Sequence, residues 1–410
     1  MLNEQRGKIF FGDVLFIAAI MVLLIFGLAA IFSASHVAGA NSANDNFSKQ
    51  FYWIMIGIML TTIIIVLPTR YLYFSAYWIY GISIVLLLMA MIFSHGESIR
   101  RWLIIGGVRF QPSELAKVAT LLALSKYLSE DARDLRRLKD IAIAFLIVGL
   151  PFFLIFIEPD LGTSLVFLAL VLPILYWAGL PSFYLFVIMT PFLVMAASFN
   201  YYTFFVIMIV AIALSLYFQR GLTVSAFLFA INIFVGIMTP FLWNRLHGYQ
   251  KHRILTFLGI EADPYGLSYQ VIQSKVAIGS GGFWGKGFLN GTQTQLRFLP
   301  AQHTDFVFSV IGEEFGFLGS FFILILFLFL ILRGIYISAI VKNRFLSLLV
   351  FGAVIILAFH AVVNTGMTVG IFPVTGLPLP FLSYGGSFMA TCFLLVGFIL
   401  HASFRRYQYF

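Results

Sequence analysis

The sequence predicts an all-α polytopic membrane protein. Of its 410 residues, 61% are hydrophobic and only 10% are charged, and the mean hydropathy is +1.01. The apolar residues also fall in runs of about 20, the length of helix that crosses a bilayer. So few charges could not cover a soluble protein of this length, so most of its surface must face lipid. The single cysteine, Cys392, leaves no disulfide framework and no cysteine-based metal site.

The apolar runs predict about 12 transmembrane helices within one integral membrane domain, residues 1–410. The count depends most on 181–243, where the breaks between runs are short. The runs occupy approximately 13–34, 51–67, 72–94, 112–128, 139–157, 163–179, 182–198, 200–218, 222–243, 306–333, 345–369 and 382–404.

Lysine and arginine set the orientation of the spans. An even number of spans puts both termini on one side, and that side holds the larger share of Lys and Arg, which predicts cytoplasmic termini. The other positive charges gather in two translocated segments, 95–111 and 244–305. An anionic head group, above all a phosphate, would account for them. For the long loop 244–305, translocation regardless of charge is an equally good explanation. The net charge of +9 does not indicate nucleic acid, because the basic residues are scattered between spans.

Segment 94–117, SHGESIRRWLIIGGVRFQPSELAK, predicts an interfacial stretch anchored by Trp102 and followed by a helix that begins near Pro112. Glu114 and Lys117 are three residues apart, so they are neighbours on one helical face inside the membrane. Either they neutralise each other as a structural pair, or they form the polar floor of a site below Arg109 and Gln111.

Three further stretches interrupt the apolar pattern. In IEPDLGTSLV (157–166), Asp160 taken alone is best explained as a helix cap. The glycines of 279–291 could cradle a phosphate or simply form flexible turns, and no P-loop pattern favours a nucleotide. The Pro- and Gly-rich segment 370–387 cannot be a regular helix, and we expect it to form the wall of a cleft.

The stretches that interrupt the apolar pattern follow one another in the same order as the motifs of a known family. RRWL with RFQPSELAK, EPDLGTS, GLSYQVIQSKVAIGSGGFWGKGFLNGTQTQL, FLPAQHTDFVFSVIGEE and GIFPVTGLPLPFLSYGGS resemble the SEDS proteins (shape, elongation, division and sporulation). The NGTQTQL stretch is more similar to the rod-shape branch, RodA, than to the division branch, FtsW. The resemblance covers nearly the whole chain.

The resemblance implies a peptidoglycan glycosyltransferase of the bacterial inner membrane. Such proteins polymerise lipid II into β-1,4 glycan strands on the outer face, alongside a class B penicillin-binding protein that makes the crosslinks. The essential aspartate of the family's HTDF motif maps to Asp305. Other positions that match its functional motifs are Trp102, Arg109, Gln111, Glu114, Lys117 and Asp160.

The chemistry implied is an inverting displacement of undecaprenyl diphosphate by a sugar 4-hydroxyl. It needs a general base, which we expect to be Asp305, and positive charge at the leaving group. We expect His303 to be a local hydrogen-bond partner. No cofactor is evident and no metal-ligand spacing appears, although a divalent cation could share phosphate binding. The candidate diphosphate ligands are Arg109, Arg101, Lys275 and Lys286.

The chain departs from the family in its span count. SEDS proteins usually have ten spans, so 181–243 indicates an extra helix pair, which leaves the sidedness of the downstream motifs unchanged. Two rival functions stay open at this point: a lipid II flippase, which an intramembrane Glu114–Lys117 pair would suit, and a non-catalytic scaffold for the crosslinking enzyme.

Overall fold

The structure is a computed structural model that describes residues 2–35, 42–93, 102–105, 108–130, 133–158, 160–218, 222–245, 248, 251, 255 and 267–406. In that part of the chain the elements are α1 (Leu2–Ser35), α2 (Ser42–Val66), α3 (Thr69–Phe93), β1 (Leu103–Ile105), β2 (Val108–Phe110), α4 (Pro112–Ser129), α5 (Leu138–Ile157), α6 (Leu161–Trp177), α7 (Ser182–Ala197), α8 (Tyr201–Tyr217), α9 (Leu222–Arg245), α10 (Leu267–Ser280), α11 (Thr292–Gln295), α12 (Val307–Ile340), α13 (Arg344–Thr368) and α14 (Gly386–Phe404).

Each predicted span overlaps one helix, namely α1 to α9 and α12 to α14. Among the described residues, eight helices are long and apolar enough to cross a membrane: α1, α2, α3, α5, α9, α12, α13 and α14. Helices α6, α7 and α8 are apolar but shorter, and α4 carries Glu114, Lys117 and Lys126. The prediction of a multi-pass helical membrane protein is confirmed, while a crossing by these four helices stays a prediction.

The chain divides into two compact units. One comprises Met1–Ala178 with Asp263–Phe410, and the other is Gly179–Ala262. In the second unit α7, α8 and α9 pack on one another around polar contacts, one between the Ser215 and Ser225 hydroxyls at 2.8 Å. The extra helix pair predicted within 181–243 falls in this unit. A single domain over 1–410 and a large loop over 244–305 stay predictions.

Helices α4, α13 and α14 form the centre of the larger unit. An 18-residue window of α14 is 83% buried, against 22% for α3. Helix α4 begins with Pro112 in its first turn, where the missing N–H costs nothing, and is buried along most of its length. The side chains of Glu114 and Lys117 on α4 and of His360 and Asn364 on α13 are therefore buried in protein and do not face lipid.

The segment ahead of α4 contains a two-stranded hairpin, which the sequence analysis did not predict. Strands β1 and β2 pair antiparallel, with Leu103 opposite Phe110, Ile104 opposite Arg109 and Ile105 opposite Val108. Short β-branched runs on either side of Gly106 and Gly107 are a hairpin signal. Apart from this short hairpin, the elements of the described residues are helices, as the predicted fold class requires.

Helix α12 is interrupted at Gly316, whose φ of 66° and ψ of −160° are not helical. An interruption frees backbone groups that must find partners at membrane depth. The loop after α10 supplies them through four bonds: Lys286 N–H to Glu313 O (3.0 Å), Gly287 N–H to Glu314 O (3.0 Å), Phe317 N–H to Gly282 O (2.9 Å) and Leu318 N–H to Phe283 O (3.3 Å).

This pairing gives the Gly-rich stretch a structural role. The loop backbone approaches α12 so closely that a side chain at Gly281 or Gly285 would collide with the α12 carbonyls. The N–H groups of Gly281, Gly285, Lys286 and Gly287 all donate to protein carbonyls. Lys286 and Gly287 donate to α12, whereas Gly281 and Gly285 donate to Ile278 and Gly281, so none of the four N–H groups is directed at an anion, which disfavours the phosphate cradle.

Candidate active site

Asp305 lies in a turn directly before α12. Its side chain is half-buried, and its N–H donates to Ala301 O at 3.1 Å. The next residue, Phe306, is completely buried against Leu299, Met367 and Val374. Because Phe306 anchors the turn in the core, the carboxylate of Asp305 is held at the N-terminal end of α12.

Asn364 fixes the backbone of Asp305 from α13. Its Nδ2 donates to Asp305 O at 2.9 Å and to Leu377 O at 2.7 Å. Asn364 is fully buried, and its Oδ1 accepts no hydrogen bond from the protein. A single amide thus joins the turn before α12 to the Pro- and Gly-rich segment.

The Pro- and Gly-rich segment predicted over 370–387 is non-helical except for Gly386 and Ser387, which already belong to α14. The non-helical residues 369–385 form a wall beside Asp305. Gly376 has a φ of 73°, and a β-carbon placed on it would stand 3.6 Å from Asp305 Oδ2. Further along, Ser383 Oγ donates to Thr304 O at 2.5 Å and Tyr384 N–H donates to His303 O at 2.9 Å. The wall and the HTDF turn are therefore held together on both sides of the carboxylate.

Gln50 on α2 ties the far end of the wall to the bundle. Its Nε2 donates to Ser383 O, and its Oε1 accepts from Gly385 N–H, both at 3.3 Å. Because both the nitrogen and the oxygen of its side-chain amide contact the same turn, Gln50 fixes the orientation of that turn as well as its position.

Glu114 and Lys117 form a buried ion pair on α4. Lys117 Nζ lies 2.9 Å from Glu114 Oε1, and the side chains are only 1% and 4% exposed, respectively. Lys117 Nζ also lies 3.1 Å from His360 Nε2, and His360 Nδ1 lies 3.1 Å from Pro378 O. The pair therefore connects through His360 to the wall.

The partners of His360 determine its tautomer. An ammonium group can only donate and a carbonyl can only accept. His360 Nε2 therefore accepts from Lys117, and Nδ1–H donates to Pro378 O. This arrangement requires a neutral imidazole, so the net charge of the trio is zero and its burial costs less than that of a lone ion.

Asp160 caps α6 and also contacts Gln111. Its Oδ1 accepts from Thr163 N–H at 3.2 Å and its Oδ2 from Thr163 Oγ1 at 2.9 Å, while Gln111 Nε2 lies 3.4 Å from Oδ2. Gly162, in the same turn, packs against the carbonyl of Thr375. The structural explanation of Asp160 as a cap is confirmed, and the same turn borders the wall that carries Gly376.

Two of the cations predicted to bind diphosphate, Lys286 and Lys275, differ in their surroundings. Lys286 Nζ is paired with Glu313 Oε1 at 2.9 Å and with Thr292 Oγ1 at 2.7 Å, which turns it toward α12. Lys275 on α10 is exposed and lies against Gly370 at the end of α13.

The hairpin positions are only partly described. Arg109 occupies the middle of β2, and its side chain lies outside the described part of the structure, as does the whole of Arg101. Trp102 is 36% exposed directly before β1. Diphosphate binding by any of these residues stays a prediction.

His303 is half-buried beside Tyr384, with ring centroids 5.7 Å apart. Burial lowers the pKa of His303 below its usual 6.5, so the imidazole is neutral at pH 7. Among the described residues, no three His, Cys, Asp or Glu side chains converge as a metal site would require. A shared divalent cation stays a prediction.

His360, Asn364 and Gln50 were not among the residues predicted from the sequence. His360 and Asn364 lie four residues apart on one face of an otherwise apolar span, and polar residues in such positions usually face a partner or a cavity. That signal was present in the sequence and would have brought both residues to attention.

These features define the class of protein: a polytopic membrane protein with a carboxylate held at the N-terminal end of a helix. The profile of the FtsW, RodA and SpoVE cell cycle protein family matches residues 13–206 and 183–408. The chain belongs to this family, which confirms the SEDS resemblance.

Individual relatives match over almost their full length. The peptidoglycan glycosyltransferase MrdB of Escherichia coli K12 is 34% identical over 410 residues, which cover 99% of this chain and 98% of MrdB. The peptidoglycan glycosyltransferase RodA of Treponema pallidum is 30% identical and covers 96% of this chain and 98% of its own.

Solved structures agree with this fold. A chain from a peptidoglycan synthase complex, described as coordinating polymerization and crosslinking, superposes with a TM-score of 0.71 at 30% identity, covering 96% of this chain and 98% of its own. The crystal structure of Thermus thermophilus RodA superposes with a TM-score of 0.63 at 26% identity, covering 96% and 97%.

Proposed function

We propose that this protein is a peptidoglycan glycosyltransferase that polymerises lipid II into β-1,4 glycan strands during cell elongation. The observation that carries the proposal is the placement of Asp305. Its half-buried carboxylate lies beside the wall at Gly376, and its backbone carbonyl is held by the Asn364 amide, which we call the clamp. Family membership and relatives named as peptidoglycan glycosyltransferases support the same activity.

In the proposed reaction, Asp305 takes the proton from the 4-hydroxyl of the incoming sugar. The hydroxyl oxygen then forms the new bond at the anomeric carbon of the growing strand while the bond to undecaprenyl diphosphate breaks. Inversion follows from this single displacement, and no general acid is needed because diphosphate leaves without protonation. Cations of the hairpin and of α10, including Arg109 and Lys275, would stabilise the charge on the leaving group.

The neutral Glu114–Lys117–His360 trio supports the wall from below in this proposal. Its hydrogen bond to Pro378 O holds the backbone two residues from Gly376, beside which the base lies. A preorganised wall keeps the carboxylate oriented without reorganisation at the moment of reaction.

Purified protein given lipid II tests the assignment. Asp305→Asn keeps the shape of the side chain and removes its basicity, so we expect normal membrane insertion and loss of glycan ladders on gels. Asp134→Asn, at an exposed aspartate elsewhere in the chain, is the matched control and should polymerise normally. Full polymerisation by Asp305→Asn would refute the role of base and leave the scaffold as the better explanation.

The flippase alternative draws on the buried Glu114–Lys117 pair. Vesicles with fluorescent lipid II separate the two functions, because a flippase changes leaflet exposure without forming polymer. Leaflet exchange by protein that makes no ladders would favour transport.

We further propose a class B penicillin-binding protein as partner and an inner-membrane location, with cytoplasmic termini and an extracytoplasmic site. The similarity to a chain of a peptidoglycan synthase complex supports the partner. For orientation, Cys392 is fully buried, so an impermeant maleimide should report only introduced cysteines. In spheroplasts, Leu296→Cys should be labelled and Arg136→Cys should not, and the reverse pattern would invert the topology.

A further inference from the structure

A cavity of about 310 Å³ opens beside the turn that carries Asp305. It lies between the C-terminal end of α1, the start of α2 and the loop 297–303, and His303 is part of its lining. Its size falls at the lower end of the range for ligand pockets, roughly 300–1,000 Å³. None of the roles assigned above to Asp305, Lys117 or Asp160 uses this space.

Gln302 presents an unsatisfied acceptor among the residues that line the cavity. The residue is only 5% exposed, and its Nε2 donates to Ala34 O at 2.6 Å. Its Oε1 is buried and accepts no hydrogen bond from the protein. Buried polar atoms in folded proteins nearly always have a partner, so this oxygen offers an acceptor to one O–H or N–H donor, whether of a ligand or of water.

The remaining polar groups define what the cavity can bind. Arg297 supplies one exposed guanidinium, and Asn46 with Ser35, joined at 3.2 Å, supplies an amide and a hydroxyl. A guanidinium fork suits one carboxylate, whereas a diphosphate calls for more positive charge. Among the lining residues described, Arg297 is the one permanent charge.

The loop 297–303, which lines this cavity, is held in a strained backbone conformation. Arg297 and Ala301 have φ values of 55° and 51°, in the left-handed region that residues with a β-carbon rarely occupy. Such conformations persist where the surroundings impose them, and they cluster at ligand sites.

We propose that this cavity binds the disaccharide-peptide part of lipid II, with sugar or amide donors at Gln302 Oε1 and a peptide carboxylate at Arg297. The inference rests on the proposed function and extends it by assigning the two halves of the substrate to different places. The saccharide and peptide occupy the side of the turn near α1, and the diphosphate lies elsewhere.

Binding measured without turnover tests this assignment. Full-length Asp305→Asn protein in nanodiscs is titrated with radiolabelled lipid II, alone and against two competitors: soluble disaccharide-pentapeptide and undecaprenyl diphosphate. Adding Arg297→Gln should weaken lipid II and the soluble competitor about tenfold, the usual worth of one charge-assisted hydrogen bond. Undecaprenyl diphosphate should compete as before.

Further variants test the chemistry of the cavity. Arg297→Glu should weaken binding more than Arg297→Gln, because it repels a carboxylate, and Arg297→Lys should recover part of the affinity. Gln302→Met should weaken the soluble competitor while the thermal midpoint reports any loss of folding. Arg136→Gln, the loss of an exposed arginine outside the cavity, should change nothing.

The outcomes separate this inference from the proposed function. Unchanged lipid II affinity in Arg297→Gln overturns the inference, as does a loss confined to undecaprenyl diphosphate, which would make the cavity a phosphate site. If lipid II binding depends on Arg297 as predicted but the wild-type protein makes no polymer, the glycosyltransferase proposal is refuted and the binding site stands. If the wild-type protein polymerises lipid II but binding does not depend on Arg297, the proposed function stands and the assignment of the cavity is overturned.

Discussion

Replacing Asn364 by alanine should separate the positioning of Asp305 from its presence. The variant keeps the carboxylate and removes the amide that holds Asp305 O at 2.9 Å and Leu377 O at 2.7 Å. The turn before α12 and the wall then lose their shared donor. We expect the carboxylate to sample orientations away from the acceptor hydroxyl.

The magnitude follows from burial. Leu377 is 1% exposed, and a buried carbonyl left without a donor costs about 1–3 kcal/mol. Leaving the half-buried carbonyl of Asp305 without its donor destabilises the fold by less than this. Removing Asn364 Oδ1, which has no partner in the protein, offsets part of the total loss of stability. We therefore expect a net destabilisation of about 2–3 kcal/mol. A displacement of about 1 Å at a reacting group lowers the rate by roughly 100-fold, so kcat should fall far more than stability alone explains.

The assay is steady-state polymerisation of lipid II together with thermal unfolding in the same detergent. Asn364→Ala should lower kcat with little change in KM, and Asn364→Asp should do the same because it also lacks the donor. Leu349→Ala, at a buried position on the same helix, should cost about 2–5 kcal/mol through a cavity and keep its kcat. Equal kcat values for Asn364→Ala and Leu349→Ala would refute the clamp.

Two other perturbations probe charge. Lys117→Met leaves Glu114 buried without its cation and should lower the stability to unfolding by about 3–5 kcal/mol. The double variant Lys117→Met with Glu114→Gln should recover most of that stability in thermal unfolding. A double variant no more stable than the single one contradicts the pairing. The pKa of His303 is lowered by burial, so the unfolded chain binds the proton first as pH falls below about 6.5. Stability is therefore complete above that pH and declines below it, and His303→Gln should flatten this part of the pH profile; an unchanged profile would show that His303 does not contribute.

The spans could be predicted because bilayer thickness imposes a length that hydropathy reveals. The position of Asp305 ahead of α12 followed from the same reasoning. What could not be predicted is the pairing of distant charges. Lys286 was a candidate for diphosphate, but its ammonium pairs with Glu313, 27 residues away in sequence. Spacing along a chain does not encode such a contact, because it depends on how the loop folds back on α12.

The polar residues inside α13 illustrate a different limit. His360 and Asn364 are four residues apart, and helix geometry predicts that they share a face. Their partners, Lys117, Pro378 and the Asp305 carbonyl, come from elsewhere in the chain. The sequence could have marked the face as functional, but only the packed structure shows that it joins the ion pair on α4 to the HTDF turn.

The seam between the Gly-rich loop and α12 constrains which sequences this fold can use. At Gly281, Gly285 and Gly316 main chain lies directly against main chain, so even a methyl group would force the two strands of backbone apart. Lipid-facing positions such as Phe321 on the same helix are exposed and accept many apolar residues. A saturation library should therefore tolerate glycine alone at the seam, in a narrow band across a permissive helix. That band would mark the interruption of α12 in genetic data without any structure.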